Sequence, residues 1–141
     1  MSEANKALVR RFVETVWNGG DLSVVNDFVG AEYALYLAGS TEPLRGPEIV
    51  KQGVTAFKSG FPDWHDAIDD LIAEGDKVAM RWTSYGTHQG AFHGVAPTGK
   101  RATLSGMDVF QIADGKIVNH WSYANVAGFL AQLNSTSSFS K

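Results

Sequence analysis

The sequence predicts an α+β fold: a curved antiparallel β-sheet packed on helices from the N-terminal half. Three observations predict it. Up to Phe61, apolar residues recur at helical three-to-four spacing. After Pro62 the chain turns to long runs rich in β-branched and aromatic residues, broken by Gly-Asp and Asp-Gly pairs. Helices first and strands afterwards argue against alternating βαβ units. The 141 residues fit one domain, expected over residues 1–134, with a polar tail, 135–141, expected to fray. If the sheet curls around helices that do not fill it, a cone results that encloses a pocket.

From the N-terminus, Ala4 to Trp17 is expected to be helical, with Leu8, Phe12 and Val16 on one stripe. Asn18-Gly19-Gly20 ends that helix, and Asp21 can cap a short second one bearing Leu22, Val25, Phe28 and Val29. Glu32 to Ala38 reads as a strand with poor alternation. Gly46-Pro47 opens a third helix, proline suiting its first turn, and Gly60-Phe61-Pro62 stops it. Trp64 to Ala73 and Lys77 to His88 are strand candidates, followed by a Gly- and Pro-containing loop, Gln89 to Gly99. Lys100 to Ile112 and Lys116 to Ala124 flank the Asp114-Gly115 turn. Asn125 can cap a last helix bearing Phe129, Leu130 and Leu133.

Composition narrows the function. The net charge is −3, with 12 basic and 15 acidic residues interspersed. No basic footprint marks a nucleic-acid partner, and no apolar run approaches the ~20 residues that span a bilayer. The absence of cysteine excludes disulfides and thiolate metal sites. The N-terminus is polar and then amphipathic, without the apolar core of a signal peptide, so a cytoplasmic location is expected.

The last hairpin admits two registers. A two-residue loop, Asp114-Gly115, sets Asp108 opposite Trp121. A three-residue loop with a left-handed Gly115 in a bulge sets Asp108 opposite His120 and Gly106 opposite Ser122. The second is favoured, because it gathers Leu104, Gly106, Asp108, Phe110, Val118, His120 and Ser122 on one face, a composition typical of ligand pockets. The other face then carries Met107, Val109, Ile117, Trp121 and Tyr123. It is too apolar to leave in water, so a homodimer through that sheet face is expected.

Several segments together resemble one family. They are Phe61-Pro62-Asp63, the run Asp70 to Asp76, Arg81-Trp82-Thr83, Gly86 to Gly90, Pro97-Thr98-Gly99-Lys100, Ile112 to Val118 with His120-Trp121, and Gly128 to Leu133. Over nearly its whole length the chain resembles the SnoaL-like polyketide cyclase group of the nuclear-transport-factor-like superfamily. The resemblance implies a cone-shaped fold with a pocket between sheet and helices, no metal or cofactor, and commonly a dimer. Members include cyclases that work by intramolecular aldol chemistry. In the characterised cyclases an aspartate directly after the His-Trp-like pair is the general acid/base, and Ser122 stands there in this chain. A second acid three residues later is Asn125 here. On the preceding strand the cyclases place a pocket-facing polar residue, and Asp108 occupies that position.

Asp108 and His120 are therefore the candidate catalytic pair, with a structural ion pair as the alternative. Arg81 binds a carboxylate or enolate oxygen if it faces the cavity; facing outward, it pairs with Asp69 or Asp70. Ser122, which lacks a nucleophile elbow, is a candidate oxygen contact. Tyr33 is a candidate pocket hydroxyl, Trp64 and Phe110 are candidate walls, and His65 either lines the pocket mouth or caps a strand. The four histidines show no metal-ligand spacing. Three functions compete: a cofactor-independent acid–base enzyme acting on a small hydrophobic carbonyl compound, a non-catalytic binding module, which Ser122 and Asn125 favour, and an interaction domain using the outer sheet face.

Overall fold

The computed structural model describes residues 2–134; the expected frayed tail, 135–141, lies outside the described residues. Helix α1 (Ser2–Phe12) buries Leu8, Val9 and Phe12. The chain does not continue as an α-helix to Trp17. It widens into a π-helical segment, Val13–Asn18, which keeps Val13 and Val16 buried. Asp21 caps the following 3₁₀ turn, Leu22–Val24, by accepting from Ser23 N at 3.1 Å. Helix α2 (Val25–Phe28) is one turn long, and Val29 already belongs to strand β1 (Val29–Leu37). A short strand β2 (Leu44–Arg45), which the sequence did not announce, folds back on β1. Helix α3 (Pro47–Gly60) begins at the expected proline and ends at the expected glycine.

Strands β3 (His65–Glu74), β4 (Lys77–Thr87), β5 (Arg101–Ala113) and β6 (Lys116–Ala124) follow close to the expected bounds, and α4 (Val126–Asn134) closes the described chain. Asn125 caps α4, its side-chain oxygen accepting from Gly128 N at 3.0 Å. The six strands lie in the order β2-β1-β6-β5-β4-β3. The sheet is mixed rather than wholly antiparallel, because β1 runs parallel to β6. Parallel neighbours need a long crossover, and here most of the chain lies between them.

Register shifts in β1, in β3 between Ile68 and Asp70, and in β6 bend the sheet. Such bulges add local twist and kink a strand, which curls this sheet around the helices. Val9, Phe12, Val16, Val25, Val54, Val78, Leu104, Phe110, Ile117 and Phe129 fill the concave side and are nearly inaccessible to solvent. Full burial of each large apolar side chain contributes roughly 1.5–3 kcal/mol.

Side chains secure the ends of the cone. Asp63 accepts from Thr87 N at 2.7 Å and from its hydroxyl at 2.9 Å, tying the α3–β3 turn to the end of β4. The Thr87 N–H holds the Asp63 carboxyl below its usual range. Strand β3 is a sheet edge, and Asn18 satisfies its backbone at Asp66: the amide donates to Asp66 O at 3.0 Å and accepts from Asp66 N at 2.7 Å. The π-helical turn ends at the residue that makes this clamp.

Candidate functional site

The β5–β6 hairpin decides which side chains meet. Its loop has two residues, Asp114 and Gly115, both left-handed with φ of 52° and 75°. It closes on the pair Ala113↔Lys116. Two positive φ values match the twist of the flanking strands, so the expected three-residue loop does not form. The extra residue enters β6 instead: Ile112 faces Ile117, Gln111 faces Asn119, and Val118 is left over. This corrects the expected pairing of Asp108 with His120. Asp108 faces Ser122, Phe110 faces His120, and Gly106 faces Ala124. Val118 and Ile117 also exchange roles, Ile117 being fully buried.

The face survives the correction. The observed register differs from the expected one by two residues, and side chains alternate with period two. Asp108 and His120 therefore both point to the concave side, as diagonal neighbours. His120 Nε2 and Asp108 Oδ2 are 2.7 Å apart, with the residues 7% and 6% exposed.

Two further residues complete a chain of hydrogen bonds. Trp82 lies opposite Gly106 on β4, and a Cβ at position 106 would come within 2.8 Å of the indole Cζ2. The missing side chain lets the indole lie across β5, where Nε1 donates to Asp108 Oδ1 at 2.9 Å. Tyr33 arrives from β1, two positions before the residue paired with His120, and its Oη is 2.7 Å from His120 Nδ1. Burial, and then the negative charge of Asp108, push the Tyr33 phenol above its usual range. It therefore holds its proton and has one to donate.

The direction of the relay follows from its two ends. An indole N–H only donates, so Asp108 accepts at Oδ1. In the neutral imidazole the carboxylate Asp108 Oδ2 accepts from Nε2–H, which leaves Nδ1 to accept from the Tyr33 hydroxyl. The sequence is Tyr33 O–H to His120 Nδ1, His120 Nε2–H to Asp108, and Trp82 N–H to Asp108. A hydroxyl, an imidazole and a carboxylate in this order have the logic of a catalytic triad, with a phenol in place of the serine. Phe110 stacks on the imidazole, with ring centroids 4.2 Å apart, and Phe12 meets Phe110 edge-on at 6.4 Å.

The remaining candidates are placed as follows. Ser122 faces Asp108 on the same side of the sheet. Trp64 is buried among Phe57, Phe61 and Phe129. His65 is exposed beside Tyr85. Arg81 takes the outward orientation: it binds Asp70 at 2.7–2.8 Å and lies 3.6 Å from Asp69. The bulge at Asp69 brings both acids to its side of β3, and Asp70 pushes the guanidinium upward, keeping it protonated. Arg81 is thus on the face opposite Asp108 and His120.

Trp82, which the sequence does not single out, is a member of the relay through its hydrogen bond to Asp108. The Trp82–Gly106 opposition is the signal that finds it. Two depressions on the surface, of about 310 and 290 Å³, lie against α1 and between the π-helical segment and β3. Neither is lined by Asp108, His120 or Tyr33. Among the described residues, no three His, Asp or Glu side chains gather as metal ligands, and no helix is long and apolar enough to cross a membrane.

Comparison with known proteins agrees with the fold. The family model for SnoaL-like polyketide cyclases matches residues 7–133. Aklanonic acid methyl ester cyclase AcmA of Streptomyces galilaeus is 33% identical over 128 residues, covering 90% of this chain and 88% of that protein. Among solved structures, AclR of Streptomyces galilaeus is 31% identical with a TM-score of 0.84, over 97% of this chain and 89% of that one. IdmH of Streptomyces antibioticus is 30% identical with a TM-score of 0.77, over 93% and 99%. The chain belongs to the SnoaL-like polyketide cyclase family.

Proposed function

We propose that the protein is a cofactor-independent acid–base enzyme that closes a ring within a hydrophobic carbonyl compound. The observation that carries this reading is the buried relay Tyr33–His120–Asp108–Trp82. Both Asp108 oxygens are occupied, so the carboxylate orients and stabilises the imidazole rather than touching substrate. Proton exchange falls to the other end. The Tyr33 hydroxyl turns to the substrate carbonyl oxygen and frees His120 Nδ1. That nitrogen takes a proton from the carbon beside the carbonyl. The enolate carbon attacks a second carbonyl of the same molecule, forming the C–C bond, and the imidazolium returns its proton to the new alkoxide. Asp108 stabilises the imidazolium meanwhile. This gives the relay the work that the family resemblance assigns to an acid at position 122.

The relatives suggest the substrate class: an ester such as aklanonic acid methyl ester, which serves as the probe. Turnover by the Asp108→Asn variant is expected to fall by about 10²- to 10⁴-fold, with probe affinity little changed. Full turnover in that variant would remove the acid–base reading. The closed, buried state of the relay favours one second reading, a binding module in which the same residues serve only to hold the fold together. In that case wild-type protein binds the probe and converts none of it.

The proposal includes a second copy of the chain on the outer sheet face, where Ile72, Met107 and Tyr123 are 68%, 54% and 61% exposed. It also includes action in the cytoplasm, with which a cysteine-free chain is compatible.

A further inference from the structure

Phe110 and His120 are directly opposed on β5 and β6, and both are buried. The phenyl ring lies over the imidazole with centroids 4.2 Å apart and planes 27° from parallel. Phe110 is itself held in place. Its partner on β4 is Val78, which is fully buried, and Phe12 of α1 meets it at 6.4 Å and 78°. Phe12 is in turn packed on Phe28 at 5.8 Å. The face of an aromatic ring is thus fixed against the imidazole.

That face is the negative pole of the ring's quadrupole. It attracts a cation within about 6 Å of the centroid, most strongly where water is excluded. The imidazolium gains this attraction and the neutral imidazole does not. The ionisable groups bonded to the imidazole are Asp108 of β5 and Tyr33 of β1; Phe12 of α1 and Val78 of β4, which close on Phe110, carry no charge. Asp108 supplies the countercharge in the ring plane at Nε2, and Phe110 supplies an uncharged attraction across the plane. At rest the imidazole is also gripped at Nδ1 by the Tyr33 hydroxyl. When that hydroxyl turns to a substrate, one hydrogen bond at Nε2 remains and leaves the ring free to tilt. The stacked face then holds its plane, in a step where a misplacement of 1 Å costs about 10²-fold.

We propose that Phe110 is a positioning residue rather than a pocket wall: its ring face fixes the plane of His120 and stabilises the imidazolium during proton exchange. The proposal rests on the reading of His120 as the proton carrier and adds to it the group that seats the charge.

The test follows proton uptake by the His120 ring through its ¹³C and ¹⁵N signals in full-length protein. Phe110→Leu fills the core without a π face. Pentafluorophenylalanine at position 110 keeps the shape of the ring, so that folding is preserved, and inverts the charge of its face. Both replacements are expected to weaken proton uptake by His120 about two- to fivefold or more relative to the wild type. Phe12→Leu, which loosens the same core one ring further away, should leave it unchanged. With aklanonic acid methyl ester, kcat of both Phe110 replacements should fall by at least the same factor with KM little changed, whereas loss of a wall contact would raise KM alone. A wild-type ring that takes up no proton before the protein unfolds, uptake unchanged by both replacements, or an equal loss in Phe12→Leu overturns the proposal. Wild-type protein that shows the expected differences in proton uptake but converts none of the ester removes the acid–base reading and leaves Phe110 as the seat of the charge.

Discussion

Replacing Asp108 with asparagine changes one atom and reverses the polarity of the whole relay. Trp82 Nε1 can only donate, so the asparagine oxygen must stay on the Trp82 side, 2.9 Å away in the native chain. The amide NH₂ then faces His120 Nε2 at the position where Asp108 Oδ2 stood, 2.7 Å distant. Two donors cannot share that gap. The imidazole proton moves to Nδ1, which turns a donor toward Tyr33 Oη. Tyr33 must accept, and its own proton loses its partner in a site where the residue is 1% exposed. An unmatched buried donor costs about 1–3 kcal/mol, or roughly 4–12 °C in melting temperature for a domain of this size. The same wrong tautomer costs serine-type triads about 10⁴-fold in kcat, so turnover of aklanonic acid methyl ester should fall by at least 10²-fold. Calorimetry measures the first effect and steady-state kinetics the second. A melting temperature within a degree of the wild type, together with unchanged kcat, would refute the reasoning.

Three other outcomes follow from the structure. Gly106→Ala should lower stability by about 1–3 kcal/mol and break the Trp82–Asp108 bond, because the new methyl group meets Tyr123 O at 2.6 Å as well as the indole; chemical denaturation and the Trp82 indole N–H shift report both effects. Asp66 holds its proton more strongly in the folded chain than in the unfolded one, so at low pH its burial carries no charge penalty, and that penalty grows as pH rises through its folded value. The melting temperature of Asp66→Asn should therefore gain on that of the wild type between about pH 3.5 and pH 7, and a constant difference across that range would contradict the assigned direction. Met107→Glu, at an exposed position on the outer face, should convert a dimer to monomers in light scattering; Met107 is the better probe there because Trp121 is already stacked on Tyr36 at 5.4 Å.

Much of the fold was legible because its signals are local. Pro47 announces the start of α3, Asn125 caps α4, and Asp114-Gly115 marks the hairpin. What stayed hidden depends on contacts between distant segments. The extra residue sits at Val118 inside β6 rather than in the turn, so the loop length was misassigned. From His120 onward the strand kept its expected facing, because the register error there was an even number of residues, while Val118 and Ile117 were exchanged. Arg81 was undecidable for a similar reason: the bulge at Asp69 brings the acids to its side, and no spacing in β3 signals it. Tyr33 meets His120 only because β1 inserts parallel to β6 across 87 positions of sequence, and no local pattern names that partner.

The relay itself is tested most directly by ¹⁵N chemical shifts of the His120 ring in the wild-type protein. A proton on Nε2 and a bare, hydrogen-bond-accepting Nδ1 are expected, because Asp108 accepts at one end and Tyr33 donates at the other. A proton resident on Nδ1 would contradict that direction and, with it, the proposed route of proton exchange.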